Sequence, residues 1–369
     1  MKRKKALSDQ EIRQLYESGD LRLNQERNDF LLPQILDFVK RKNWLNLRPE
    51  YQRRLVWDKK KKSRFIESLL MNVPIPPVFL YEYDLSRYEV MDGQQRLNAI
   101  IEFYSNQLVL TGLETWSALN GKRHSECPQI IKRGLDRRRL SATVLIAEAK
   151  IGGSLPFDVR REVFERLNTG GQQLNPQELR NALYSGLFNE LLIRIASGRL
   201  FRNLWDIPHE GQELSENNLY RRLGDCEIVL RFFAFRRTNK IKGSVKTILD
   251  SCMADFANIS PAERDDFEVL FNSRLRTAKQ IFGDNAFGLV DGEDRRKLSM
   301  PLYDALMVSL DRLWEHRAML KKKRRRIVSD LRRELKKPKV YELVVGRPNT
   351  AIAIKNRIAV VERIMKRHL

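Results

Sequence analysis

The sequence predicts an α+β protein, with a small mixed sheet and its helices first and a mainly α-helical region after it. Short β-type runs, Val78–Tyr81, Tyr88–Met91 and Ala142–Ile146, all lie before residue 150 and alternate with stretches of helical spacing. Beyond residue 185 apolar residues recur every three or four positions almost without interruption, as in Leu223, Ile228, Val229 and Phe232. A chain of 369 residues with 42% hydrophobic content is long enough for two domains with real cores. The pattern divides it into a basic N-terminal arm at 1–25, a sheet-bearing domain at 26–185 and a helical domain with basic C-terminal helices at 186–369.

The arm is polar and charged, with one short helix expected around Glu11–Glu17. Phe30, Leu31, Ile35, Leu36 and Val39 then predict a first packed helix from Phe30 to Val39. Leu47-Arg-Pro-Glu-Tyr-Gln-Arg-Arg-Leu-Val-Trp57 follows as an arginine-rich loop. Arg53 and Arg54 between Tyr51 and Trp57 combine cation and stacking surface, which suits a phosphate or a base. An ordinary loop pinned by Trp57 has the same composition. Phe65, Ile66, Leu69 and Leu70 form the next helix, and Pro74, Pro76 and Pro77 forbid its continuation. Val78–Tyr81 and Tyr88–Met91 are then expected to pair across a short polar loop.

The period changes just after that pair. Asp92-Gly93 is a tight-turn dipeptide, and Leu97, Ile100, Ile101 and Tyr104 recur at helical spacing behind it. A strand, a turn and a helix result, with Gln94, Gln95 and Arg96 on the first helical turn. Free backbone N–H groups at a helix start attract anions, and Gly93 lets a ligand approach the main chain. Arg96 can fork onto a phosphate, while Asp92 suits a metal ion or the orientation of a water. Taken alone, a DGxxR sequence reads first as an Asp-Gly hairpin turn with solvated polar residues, and only the other stretches of the chain reverse that preference.

Farther on, Lys132, Arg133, Arg137, Arg138 and Arg139 make a basic patch that fits either a solvated face or a DNA contact. Val159, Val163, Phe164 and Leu167 form a helix face stopped by Asn168-Thr-Gly-Gly171, a glycine cradle of the kind that holds a phosphate or a sugar edge. Asn175, Pro176 and Glu178 have the spacing of a helix cap. Helices are expected at Phe188–Ala196, Leu219–Ala234, Val245–Phe256 and Phe267–Ile281, with a long one from Pro301 to Leu320. Its continuation, Lys321, Lys322, Lys323, Arg324, Arg325 and Arg326, is a block of like charge that a polyphosphate would neutralise.

Composition narrows the partners. Lys and Arg number 69 against 47 Asp and Glu, a net charge of +22 that favours nucleic acid over an anionic membrane. The 3 cysteines are far apart, which fits a reducing compartment and excludes a disulfide framework. The 4 histidines form no HxH or HExxH cluster, so no histidine–metal nuclease centre can be assembled from neighbours. The basic N-terminus has no apolar core behind it, and no run reaches the ~18 apolar residues of a membrane span. A cytoplasmic location is the expectation.

In combination, Tyr51-Gln-Arg-Arg-Leu-Val-Trp57, Val73-Pro-Ile-Pro-Pro-Val-Phe-Leu80, Asp92-Gly-Gln-Gln-Arg-Leu97 and Phe164-Glu-Arg-Leu-Asn-Thr-Gly-Gly171, followed by Leu174-Asn-Pro-Gln-Glu-Leu-Arg-Asn-Ala182, occur in one order. The chain thereby resembles the GmrSD-type restriction endonuclease N-terminal domain family, which has a ParB/sulfiredoxin-like core. The resemblance implies that Asp92, Gly93, Gln94, Gln95 and Arg96 bind and hydrolyse a nucleoside triphosphate of unknown base, with Mg²⁺ near Asp92. It further implies that Gln52, Arg53, Asn168, Thr169, Gly170 and Gly171 line the same pocket. Members act in anti-phage defence on modified DNA, and two-part members carry or pair with an HNH nuclease module. As no histidine–metal cluster is read in these residues, cutting is expected to reside in a partner, an HNH nuclease or a helicase-linked protein. A non-catalytic module that binds DNA or senses its modification, and a self-contained metal-dependent nuclease built on Asp92, remain as alternatives.

Overall fold

The computed structural model describes residues 8–17, 24–40, 43–47, 57–146, 175–184, 186–290, 296–345 and 349–369. The chain divides into two compact units, Met1–Gln173 and Leu174–Leu369.

The first unit contains strands β1 (Asn24–Leu31), β2 (Leu45–Asn46), β3 (Val78–Asp84), β4 (Arg87–Asp92) and β5 (Arg139–Ile146). Its helices are α1 (Asp9–Glu17), α2 (Leu32–Lys40), α3 (Lys59–Leu70), α4 (Gln94–Tyr104) and α5 (Gln129–Asp136). The strands form one 5-stranded sheet in the order β1-β5-β3-β4-β2. β5 runs antiparallel to β1 and parallel to β3, whereas β4 runs antiparallel to β3 and parallel to β2. This is the small mixed sheet the sequence predicts. Leu32, Ile35, Ile66, Leu69, Val78, Leu80, Leu97, Ile100, Phe103, Leu140 and Val144 share its core.

Two strands differ from expectation. Phe30 and Leu31 end β1, so the first packed helix opens at Leu32 and not at Phe30. β1 reads Asn-Gln-Glu-Arg-Asn-Asp-Phe-Leu and lies at the sheet margin, paired only with β5. Polar side chains are tolerated there because one face and one edge stay in water, and for the same reason no apolar alternation marks the strand. β2 is 2 residues long and leaves no periodic signal.

The second unit is helical. Its longer helices are α6 (Pro176–Leu183), α7 (Leu187–Ala196), α8 (Gly224–Phe235), α9 (Val245–Asp255), α10 (Pro261–Phe282), α11 (Met300–Arg312), α12 (Arg324–Leu335), α13 (Pro338–Val345) and α14 (Ala351–Lys366), with shorter turns between them. A small antiparallel hairpin, β6 (Gly288–Val290) and β7 (Arg296–Leu298), interrupts them. Asn175 caps α6 as its spacing predicts: its Oδ1 accepts from the N–H groups of Gln177 (2.8 Å) and Glu178 (2.9 Å), and the Asn175 N–H donates to Glu178 (2.6 Å).

The expected Pro301–Leu320 helix is not continuous. α11 stops at Arg312, and a 3-10 turn (Trp314–His316) and a short helix (Arg317–Lys322) follow. At the break Leu313 is buried, and Trp314 lies 3.8 Å from the Arg274 guanidinium, which Asp311 holds at 2.9 Å. The Leu219–Ala234 helix is likewise split, into Asn218–Arg221 and α8, where buried Leu223 takes a left-handed φ of 55°.

Candidate functional site

β4 delivers Asp92 to the end of the sheet beside the start of β3. The register skips a residue there, with Leu80 opposite Val90 but Phe79 opposite Asp92, so Met91 is bulged and the strand end is re-aimed. Gly93 then turns the chain into α4 with φ 95°. No L side chain fits: a Cβ at this position would stand 2.4 Å from Val78 Cγ1 and 3.2 Å from Arg96 Nη2. The glycine is therefore needed for its left-handed backbone and also for the close approach of Val78 and the Arg96 guanidinium.

The first turn of α4 knits distant chain segments together. Arg96 Nη2 donates to Asp92 Oδ2 at 2.8 Å, and its Nη1 donates to the carbonyls of Pro76 and Pro77, just before β3. A single guanidinium thus ties the start of β3 to the end of β4. Gln94 Nε2 donates to the Leu47 carbonyl at 2.6 Å, just past β2. The Trp57 N–H, just before α3, donates to Gln95 Oε1 at 2.9 Å. Leu47 and Trp57 bracket the arginine-rich stretch, so both ends of that stretch are held by the turn. Trp57 itself packs edge-on to Phe65 at 5.5 Å with Lys61 over its ring, the anchoring part that its place after the arginines suggests.

Electrostatically the turn is an ion pair at a helix start, with the cation its more buried member. Burial pushes the Arg96 guanidinium below its ordinary value while Asp92 opposes the shift, and arginine remains charged in either case. The Arg96 side chain is 13% exposed and that of Asp92 42%. Gly93 at the N-cap has no side chain with which to cap α4, and the helix start adds the partial positive charge of its dipole. Among the described residues, Arg96 Nε–H makes no hydrogen bond. Among the same residues the Asp92 Oδ1 is also without one, and no group of 3 or more described His, Cys, Asp or Glu could hold a metal ion. Asp92 fits Mg²⁺ only as one ligand among phosphate oxygens and waters, the usual environment of that ion.

The structure brings Asp92, Gly93, Gln94, Gln95 and Arg96 together as expected, but it gives the glutamines partners that spacing could not reveal. Gln52 and Arg53, together with Asn168, Thr169, Gly170 and Gly171, lie outside the described residues. In the basic patch near α5, Lys132 Nζ donates to the Ser125 carbonyl at 2.8 Å and Arg138 Nη2 to the Leu70 carbonyl at 3.0 Å. Arg133, Arg137 and Arg139 are exposed. The run Lys321–Arg326 is broken at Lys323, which ends one helix and starts α12, leaving Lys322, Arg324, Arg325 and Arg326 exposed. All 3 cysteines are buried and free, and burial pushes the Cys252 thiol up to about 12, which leaves it unreactive. No helix among the described residues is long and apolar enough to cross a membrane.

Residues 32–185 match the family model described as GmrSD restriction endonuclease, N-terminal domain. The matched segment contains the whole turn and ends just after α6. No curated protein and no solved structure matches the chain.

Proposed function

Residues 32–185 belong to the GmrSD restriction endonuclease N-terminal domain family, which implies a restriction-type, DNA-targeting anti-phage system, and we propose that this chain is its nucleotide-handling component. The observation that carries the proposal is the Arg96 guanidinium folded over Gly93 at the uncapped start of α4. Backbone N–H groups, the helix dipole and an arginine with a donor to spare converge there, the recurrent make-up of a phosphate cradle. The triphosphate is held by these donors, and Arg96 stabilises charge on the transferring phosphoryl group. Asp92 contributes one ligand to the Mg²⁺ that accompanies the nucleotide.

Gln94 and Gln95, which the resemblance groups with the residues that bind and hydrolyse the nucleotide, take a positioning part in this reading. Their amides hold Leu47 and Trp57, so they keep the arginine-rich stretch, with Arg53 and Gln52, beginning and ending at the phosphate site. Nucleotide occupancy is thereby linked to an arginine-bearing segment of the kind that grips DNA or a partner. DNA cutting falls to an associated HNH nuclease or helicase-coupled protein.

A panel of ATP, GTP, CTP and UTP, with and without DNA, tests the proposal. Arg96→Ala is expected to lower hydrolysis by ~10²-fold or more, the scale of losing one charge-stabilising donor. Arg96→Lys, which keeps the charge, separates this loss from the loosening of Pro76 and Pro77; equal thermal stability of the two variants with unequal turnover supports the role. Absence of turnover for every nucleotide overturns it. The engagement of both glutamines favours one second reading, a site that binds nucleotide or a modified base without hydrolysis, which predicts saturable binding and no release of phosphate.

A further inference from the structure

The second unit holds a basic groove that the nucleotide site does not use. It lies between the C-terminal end of α10 and one face of α12, encloses about 900 Å³, and is lined by Lys279, Arg324, Arg325, Arg332, Arg333 and Lys336. Ile281, Phe282 and Val328 give it a partly apolar floor.

The cations are not equivalent. Lys279 pairs with Asp284 at 3.0 Å, and Arg333 pairs with Asp330. Arg324, Arg325, Arg332 and Lys336 are exposed and make no ion pair among the described residues. Arg325, Arg332 and Lys336 follow one another at helical spacing, so they form a stripe along α12. From Arg324 to Lys336 a helix advances ~18 Å, the length of about five phosphates along one strand of a duplex.

A second observation points the same way. Arg324, Arg325 and Arg326 occupy the first turn of α12, which has no acidic residue and no side-chain cap. Cations at a helix N-terminus oppose the macrodipole, an arrangement that lowers the helix's own stability. A bound anion reverses this, because it meets the arginines and the exposed backbone N–H groups together. At α10 the sign is opposite: its C-terminal residues line the groove where Lys279 sits, so α10 shapes the wall and α12 supplies the charge.

We propose that this groove seats the phosphate backbone of a DNA duplex, with Arg324, Arg325, Arg332 and Lys336 on successive phosphates. The proposal rests on the DNA-targeting reading for the identity of the partner and is independent of nucleotide hydrolysis. A concave, elongated, cationic trough matches a backbone ridge; a bilayer surface is flat and would leave the floor unfilled.

The test measures binding of the full chain to a labelled DNA duplex by fluorescence anisotropy across a salt series. Arg324→Gln with Arg332→Gln removes two groove charges; Lys322→Gln with Lys339→Gln removes two exposed charges outside the groove. The groove pair is expected to flatten the slope of log K against log salt by about 2, close to one for each phosphate contact, with the control pair changing it by under ~0.5. Equal effects of both pairs would mean generic surface charge and overturn the groove. Loss of binding to phosphatidylserine vesicles in the groove pair, with duplex binding intact, would assign it to a membrane and overturn the proposal as well. If the parent chain binds no duplex, DNA contact by this chain fails altogether, whereas NTP turnover, assayed on its own, reports separately on the turn.

Discussion

Gly93 shows how little freedom a single residue has at this site. Its φ of 95° lies in the left-handed region, and a methyl group would meet Val78 Cγ1 at 2.4 Å. Gly93→Ala therefore combines backbone strain of ~1–2 kcal/mol with overpacking of ~1–3 kcal/mol. A loss of about 2–5 kcal/mol is expected from urea unfolding; an unchanged midpoint would mean that the turn does not take this shape. The Asp-Gly pair was legible because only a tight turn explains it between a β-type and a helical run. What Gln94 and Gln95 touch was not legible, since Leu47 and Trp57 are distant in sequence and offer only backbone atoms, which carry no residue-type signature.

At the level of elements, the first turn of α4 acts as a clasp for β2, α3, β3 and β4. Gln95→Met removes the amide acceptor for the Trp57 N–H while keeping the side chain's length. Hydrogen exchange at the Trp57 amide is expected to accelerate by roughly 5–10-fold, matching the ~1 kcal/mol of one hydrogen bond, with global stability little changed. Unchanged protection at Trp57 would remove the link between the motif and the arginine-rich stretch. Elements with a strong period or cap were readable in advance: α4 from Leu97, Ile100 and Ile101, and α6 from Asn175, Pro176 and Glu178. β1 was not, because its margin position lets Asn24–Asp29 stay polar. The α11 break at Leu313 was hidden for the opposite reason, since the apolar period runs through it while the Arg274–Trp314 contact redirects the chain.

At the scale of the molecule, the second unit is built around a buried charge. Arg231 donates from Nε to Asp304 Oδ1 at 3.0 Å, and Arg357 Nη1 lies 4.0 Å from Asp304 Oδ2, with Asp304 and Arg357 wholly buried. Phe188, Phe232, Phe233 and Phe271 pack in the same unit and exclude water. Asp304→Ala removes the carboxylate that two buried arginines share and should destabilise by ~3–5 kcal/mol, whereas Asp304→Leu combined with Arg231→Met and Arg357→Met should recover much of that loss. Chemical denaturation of both variants distinguishes a required ion pair from one that an apolar pair replaces. The charge excess of +22 is thus not all available to a partner: arginines such as Arg180, Arg231 and Arg357 belong to the core, and Arg96 to the turn.

By itself the sequence determined the α+β class, the strand–turn–helix of Asp92–Arg96, the capped α6 and the net charge of +22, because each of these follows from local period, turn chemistry or composition. Tertiary structure alone decided which arginines face water and which face carboxylates, that the motif's glutamines hold Leu47 and Trp57, and that the α12 cations line up along a groove wall. Those outcomes depend on which segments meet in space, and pairwise contacts between distant backbone and side-chain atoms leave no trace in spacing or composition.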